Sequence, residues 1–204
     1  MSEEHAVPLV FDQPNACFVL LPRGKKHPPI EKEWQKKGHS FREAEDHAKK
    51  GENIGVMADG NYIGLDQDNP SEFDGIQLLP TTTWETRPGR LGLWFKCVDR
   101  NQEVLAKYGI KPNQAQVKLF YNGQPVGEIK LERTYQVIPP SWKKIDGKRV
   151  EYEIVENLPP AEISIEWLLS ELNRIGITFS EKTSITRISH ESDEPDLPIF
   201  RHIY

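Results

Sequence analysis

Tyr62-Ile63-Gly64-Leu65-Asp66-Gln67-Asp68-Asn69-Pro70 reads as an apolar strand that ends in two aspartates one residue apart. Side chains alternate faces along a strand, so Asp66 and Asp68 present both carboxylates on the same side. Two carboxylates so placed repel each other unless something positive sits between them. A hard divalent cation such as Mg²⁺, which takes oxygen ligands, answers that need. The same residues also make a good turn, because Asp and Asn bond their own backbone and Pro ends a strand. Alone, the pair leaves both readings open.

The 204-residue chain has the length for one compact domain, or two small intimate ones, with a real core. No apolar run approaches membrane-spanning length, and Met1-Ser2-Glu3-Glu4-His5 lacks the apolar stretch of a signal peptide. A cytoplasmic protein without a membrane partner is therefore expected. Cys17 and Cys97 are too few for a cysteine-only zinc cluster; they could pair, although two cysteines in an intracellular chain are more often free core thiols. The net charge of −5 argues against nonspecific coating of nucleic acid, though it leaves room for a local basic groove. Basic residues gather at Arg23 to Lys26, Lys36-Lys37, Arg87 to Lys96 and Lys143 to Arg149, where solvated surface is the ordinary explanation.

The order of elements predicts an α+β fold with one dominant sheet. Cys17 to Pro22 reads as a short buried strand. Ser40-Phe41-Arg42-Glu43 has the spacing of a capping box and opens a helix that runs to Gly51. Asn53 to Met57 and Tyr62 to Leu65 are expected to pair as a hairpin around Ala58-Asp59-Gly60-Asn61. Further strands are predicted over 81–86, 91–98, 116–121, 126–131 and 134–138, with a short helix over 101–108. Ser164 caps a last helix whose Ile165, Leu168, Leu169, Leu172 and Ile175 form one stripe. Residues 1–179 are expected to form the functional domain, and the polar stretch 180–204 a flexible tail.

A third acid tests the metal reading. Glu128 lies mid-strand in Val126-Gly127-Glu128-Ile129-Lys130, where an acidic side chain is disfavoured unless it faces solvent or a partner. If this strand neighbours the Asp66 strand, three carboxylates converge, and such a cluster can hold two cations roughly 4 Å apart for phosphoryl transfer. The alternative is an outward-facing Glu128 paired with Lys130 or Arg133. Lys130 shares the face of Glu128 and, with Arg90 in the Arg87-Pro88-Gly89-Arg90 turn, supplies the cations a triphosphate requires.

These residues, in this order, resemble the bifunctional primase–polymerase domain of the archaeo-eukaryotic primase superfamily. The resemblance runs from about Cys17 to Leu169. Lys26-His27-Pro28 followed by Trp34 is similar to an early family motif, and Gly51 to Val56 to the next. Asp66 and Asp68 match its Asp-x-Asp. Glu128 followed by Tyr135-Gln136-Val137-Ile138-Pro139-Pro140-Ser141 matches the acid, strand and Pro-Pro-Ser run, with Gly147 and Tyr152 after it. The resemblance implies the archaeo-eukaryotic primase fold, a mixed central sheet with an RRM-like catalytic module flanked by helices. It implies a DNA primase or polymerase of DNA replication that uses Mg²⁺ or Mn²⁺, a DNA template and primer, dNTP or NTP, and a replicative helicase as partner. Asp66, Asp68 and Glu128 would be catalytic and metal-binding; Arg90, Gly92, Lys96, Lys130 and Ser141 would contact the nucleotide. Arg133, Trp142 and Lys143-Lys144 would face the template.

One motif departs from the pattern. The family places a His a few residues after the Gly-rich turn, and that position is Gly92 here, with His27, His39 and His47 assigned to other elements. Arg90 or Lys96 could replace the cation, the nucleotide could be posed differently, or the domain could be a degenerate module that binds nucleotide or nucleic acid without chemistry. A glycosyltransferase with an Asp-x-Asp is disfavoured by the shortage of helix before Asp66.

Overall fold

The computed structural model describes residues 5–179. The expected tail at 180–204 lies outside the described residues. Strands β1 (Phe18–Leu21), β2 (Asn53–Ala58), β3 (Tyr62–Gln67), β4 (Thr82–Arg87), β5 (Arg90–Asp99), β6 (Gln116–Tyr121), β7 (Gln124–Lys130) and β8 (Thr134–Ile138) carry the body of the fold. They are followed by β9 (Trp142–Ile145), β10 (Lys148–Glu151), β11 (Glu153–Glu156) and β12 (Ala161–Ser164). Helix α1 (Phe41–Ala48) precedes β2, α2 (Gln102–Lys107) follows β5, and α3 (Ile165–Arg174) follows β12. The fold is α+β, mostly antiparallel and poor in helix.

The helix starts follow their sequence signals. The Ser40 hydroxyl accepts from the Glu43 amide and the Glu43 carboxylate accepts from the Ser40 amide, a complete capping box. Ser164 accepts from the Trp167 amide, and Ile165, Leu168, Leu169 and Leu172 are buried on one stripe of α3.

Seven strands form the dominant sheet in the order β11-β4-β5-β3-β7-β6, with β12 running parallel to β5 beyond the end of β4. A second sheet, β1-β2-β8, is antiparallel throughout, and β9 and β10 form a hairpin. The expected hairpin of 53–57 with 62–65 does not form. The chain does reverse at Ala58–Asn61, but β2 is paired on both edges by β1 and β8, and β3 on both edges by β5 and β7. Local turn chemistry reports a reversal, not which edges pair.

The large sheet has two unlike faces. Ile63, Leu65, Phe95, Val117 and Ile129 point toward α2 and α3 and pack on Leu105, Leu168, Leu169 and Leu172. On the other face Tyr62, Trp84 and Trp94 meet Ile54, Val56 and Ile138 of the smaller sheet, with Phe11 wedged against both indoles at 5.6 Å. The smaller sheet covers only part of that face, and the cleft lies where the cover stops. Cys17 and Cys97 are free thiols. No helix among the described residues is long and apolar enough to cross a membrane.

Candidate active site

Strand register builds the site. Asp66 lies opposite Glu128 on β7 and opposite Gly92 on β5. Trp84 lies opposite Gly92 from β4, and Lys118 opposite Glu128 from β6. Opposed residues on neighbouring strands share a face with Cβ atoms about 5 Å apart, so Trp84, Gly92, Asp66, Glu128 and Lys118 form one row across five strands. Asp66 and Glu128 of this row lie on the floor of a cleft of about 560 Å³, walled by Tyr135, Gln136 and Val137 of β8, by Lys26, His27 and Trp34, and by Lys143 and Tyr152. Trp84 and Gly92 are buried beside it.

Each carboxylate in the cleft has a partner. The Gln136 amide nitrogen donates to Asp66 Oδ1 at 2.6 Å. Gly64 makes that approach possible, since a Cβ there would stand 2.0 Å from Gln136 Oε1. Lys130 Nζ donates to Glu128 Oε1 at 2.5 Å and to Gln116 Oε1 at 3.2 Å, and lies 3.9 Å from Asp66 Oδ2. Arg90 Nη1 is bonded to Asp68 Oδ1.

These surroundings shift the titrating groups. Burial pushes the Asp66 carboxyl up to about 6, with the Glu128 charge adding to the rise and Lys130, Gln136 and Lys26 opposing it. Lys143 is pushed down to about 8, first by burial and then by the positive charges of Lys26 and Arg90. Burial, followed by the charge of Asp66, raises the Tyr152 phenol.

Of the residues singled out from sequence, Asp66, Asp68, Glu128, Arg90 and Lys130 line this one cleft. Glu128 both neighbours Asp66 and pairs with Lys130, so the two alternatives for it are not exclusive. Three expectations need correction. Ser141 does not reach the cleft: it is fully buried, and its hydroxyl donates to the Ile54 carbonyl and accepts from the Ile54 amide. Lys96 sits two cross-strand rows away, opposite Tyr62, and is bonded to Glu162 at 2.9 Å. Gly92 offers no hold for a nucleotide through a side chain of its own, and Trp84 covers it. Atoms of the Trp84 indole lie 2.5 to 2.8 Å from where a Cβ at 92 would stand. Trp142 is likewise poorly placed to stack a template base, because Gly24 abuts its ring and the Arg149 guanidinium lies 4.6 Å from the ring centroid.

His27, assigned from sequence to a separate element, lines the cleft from the segment before Trp34. Sequence reasoning also missed the part played by Gln136. Its signal was legible: it alternates with Thr134 and Ile138 in β8, a polar residue on a strand face otherwise due for burial, and it is 4% exposed.

Residues 5–166 match the family described as bifunctional DNA primase/polymerase, N-terminal. The chain belongs to that family. No curated protein matches the chain significantly in sequence. The matched span contains Asp66, Asp68 and Glu128 and every strand of both sheets. Membership in the primase/polymerase family implies a nucleotidyltransferase-type enzyme of DNA replication, with DNA and nucleotides as its substrates.

The charge of the primase/polymerase cleft suits such substrates. Lys26, Arg87, Arg90, Lys130, Arg133 and Lys143 line it against the carboxylates of Asp66, Asp68 and Glu128, an excess of positive charge within a chain of net charge −5. Among the described residues no three His, Cys, Asp or Glu side chains are gathered closely enough to hold a metal ion. The donors Asp66, Asp68 and Glu128 are all oxygen and suit a hard dication. Converging on one requires Arg90 to leave Asp68 and Lys130 to leave Glu128, and triphosphate oxygens are the natural alternative partners for both cations.

Proposed function

We propose that this primase/polymerase domain adopts the archaeo-eukaryotic primase fold and catalyses template-directed nucleotidyl transfer at the cleft around Asp66. The observation that carries the reading is the register of Asp66 against Glu128, with Asp68 two residues on, at the floor of a cleft lined with cations. In the reaction the primer 3′-oxygen bonds to the α-phosphorus of the nucleotide. The bond to the bridging oxygen breaks, pyrophosphate leaves and the hydroxyl proton is lost. Lys26, Arg90 and Lys143 neutralise the triphosphate, and Lys130 moves between carboxylate and phosphate. Asp66, Asp68 and Glu128 would hold Mg²⁺ or Mn²⁺, which supplies Lewis-acid activation of the 3′-hydroxyl and charge neutralisation at the leaving pyrophosphate. Gln136 orients Asp66.

A second reading, a degenerate module that binds DNA or nucleotide without chemistry, is favoured by one observation: the Trp84 indole fills the place where the family's phosphate-gripping His would project. Primer extension with labelled DNA in Mg²⁺ or Mn²⁺ separates the two. Incorporation by the wild type that is lost in Asp66→Asn/Asp68→Asn is the expected result. Incorporation no greater than that of a variant lacking all three carboxylates would leave only the binding module.

A further inference from the structure

We propose that the β6 side of the cleft, where Gln116 and Arg133 line it and Lys118 lies just beyond, opposite Glu128, holds the terminal phosphodiesters of the primer strand. The inference rests on the nucleotidyl-transfer reading and adds a direction to it. In-line displacement places the attacking 3′-oxygen and the leaving pyrophosphate on opposite sides of the α-phosphorus. The flank on which pyrophosphate leaves is therefore the flank the primer does not use.

The cations separate into two flanks around the Asp66–Glu128 pair. Lys26, Arg90 and Lys143 lie together on the β5 and β9 side, close enough that Lys26 and Arg90 press on the charge of Lys143. Asn53 ties the segment to β9 by donating to both the Lys25 and the Trp142 carbonyls, at 3.0 and 2.7 Å. That flank suits the triphosphate. On the far side of Glu128 the sheet continues into β6, with Lys118 directly opposite Glu128 and Gln116 opposite Lys130. Gln116, Lys118 and Arg133 are exposed. Lys118 makes no ion pair or side-chain hydrogen bond with any described residue, whereas Lys130 and Arg90 are both engaged with carboxylates. An unengaged lysine one strand from a carboxylate pair, on an open sheet face, suits a phosphodiester entering from that side. Lys118 neutralises the backbone and sets the approach of the 3′ end. It takes no part in bond making.

Fluorescence anisotropy with fluorescein-labelled DNA tests this on the full chain, comparing a primer–template duplex with the template strand alone. Loss of one phosphate contact in Lys118→Gln should weaken duplex binding roughly three- to tenfold and lower the salt slope by about one. Template-alone affinity and nucleotide KM should stay unchanged, and Lys118→Arg should restore duplex binding. Unchanged duplex affinity would overturn the proposal. Equal weakening on template alone would also overturn it, by assigning the contact to the template. Failure of the wild type to incorporate nucleotide would sink the catalytic reading by itself, since anisotropy still decides where the duplex lies.

Discussion

Trp84 and Gly92 face each other across β4 and β5, and the indole occupies the volume that any side chain at 92 would need. The ring cannot yield easily. Its Nε1 donates to the Val137 carbonyl at 3.0 Å, and its ring packs T-shaped against Phe11. Introducing a side chain at 92 should therefore cost about 1–3 kcal/mol by overpacking, more for Gly92→His than for Gly92→Ala. In a Trp84→Ala background the same Gly92→His change should cost less, giving a coupling of at least about 0.5 kcal/mol by urea unfolding. Strict additivity would show that the indole does not set the identity of residue 92.

Ser141 is a clamp rather than a ligand. Its hydroxyl satisfies both the amide and the carbonyl of Ile54, at 2.9 and 3.0 Å, and its own carbonyl accepts from the Tyr152 amide at 2.8 Å. Ser141→Ala removes both hydroxyl bonds from the buried Ile54 end of the β2–β8 ladder and should destabilise the domain by roughly 1–3 kcal/mol. Nucleotide KM should not change. A raised KM with unaltered stability would return Ser141 to the nucleotide site.

The sequence made the elements legible where the signal was local. The Ser40 and Ser164 caps, the α3 stripe and most strands follow from spacing alone, because capping and periodicity are properties of a few adjacent residues. Strand partners were less legible. The turn before Tyr62 suggested a hairpin, yet β2 and β3 each found two other neighbours, a choice made by burial of whole faces. The convergence of Asp66 with Glu128 could be posed only as a condition, since nothing within either strand names its neighbour. Gln136 and His27 reach the site from distant segments, and Trp84 covers Gly92 beside it, so their roles depend on tertiary placement. Ser141 and Lys96 have plausible chemistry but point elsewhere, and residue type alone does not carry direction.

Asp66 links stability to pH. Its carboxyl is raised from 3.8 to about 6, so the folded protein binds a proton that the unfolded chain has already released between those values. The Asp66 contribution to metal-free stability should therefore fall as pH rises from about 4 to about 6 and stay lower above it, by at most about 3 kcal/mol at 1.36 kcal/mol per unit. Asp66→Asn removes the titration and still offers Gln136 an oxygen, so at pH 7 the metal-free variant should be more stable than the wild type. Thermal unfolding at pH 4, 5, 6 and 7 measures this, and parallel profiles for the two proteins would refute it. Adding Mn²⁺ at 100 times its Kd should stabilise the wild type by about 2.7 kcal/mol and leave Asp66→Asn/Glu128→Gln unmoved.

Gln136 should act on the reaction through the proton affinity of Asp66. Its amide favours the ionised carboxylate, while its Oε1 is buried without a partner. Gln136→Leu removes the donor and the orphaned acceptor together but leaves Asp66 Oδ1 without its partner, so stability should fall by about 1–3 kcal/mol, chiefly at pH values where Asp66 is ionised. The Asp66 carboxyl should then rise further, because burial and the Glu128 charge remain while one opposing hydrogen bond is gone. Incorporation requires the ionised form, so its acidic limb should move to higher pH in Gln136→Leu, with the rate recovering on the alkaline side. A rate lowered equally at every pH would mean that Gln136 only supports the packing of β8 against β3. A shifted limb with full recovery on the alkaline side would identify it as the residue that sets the working pH of the site.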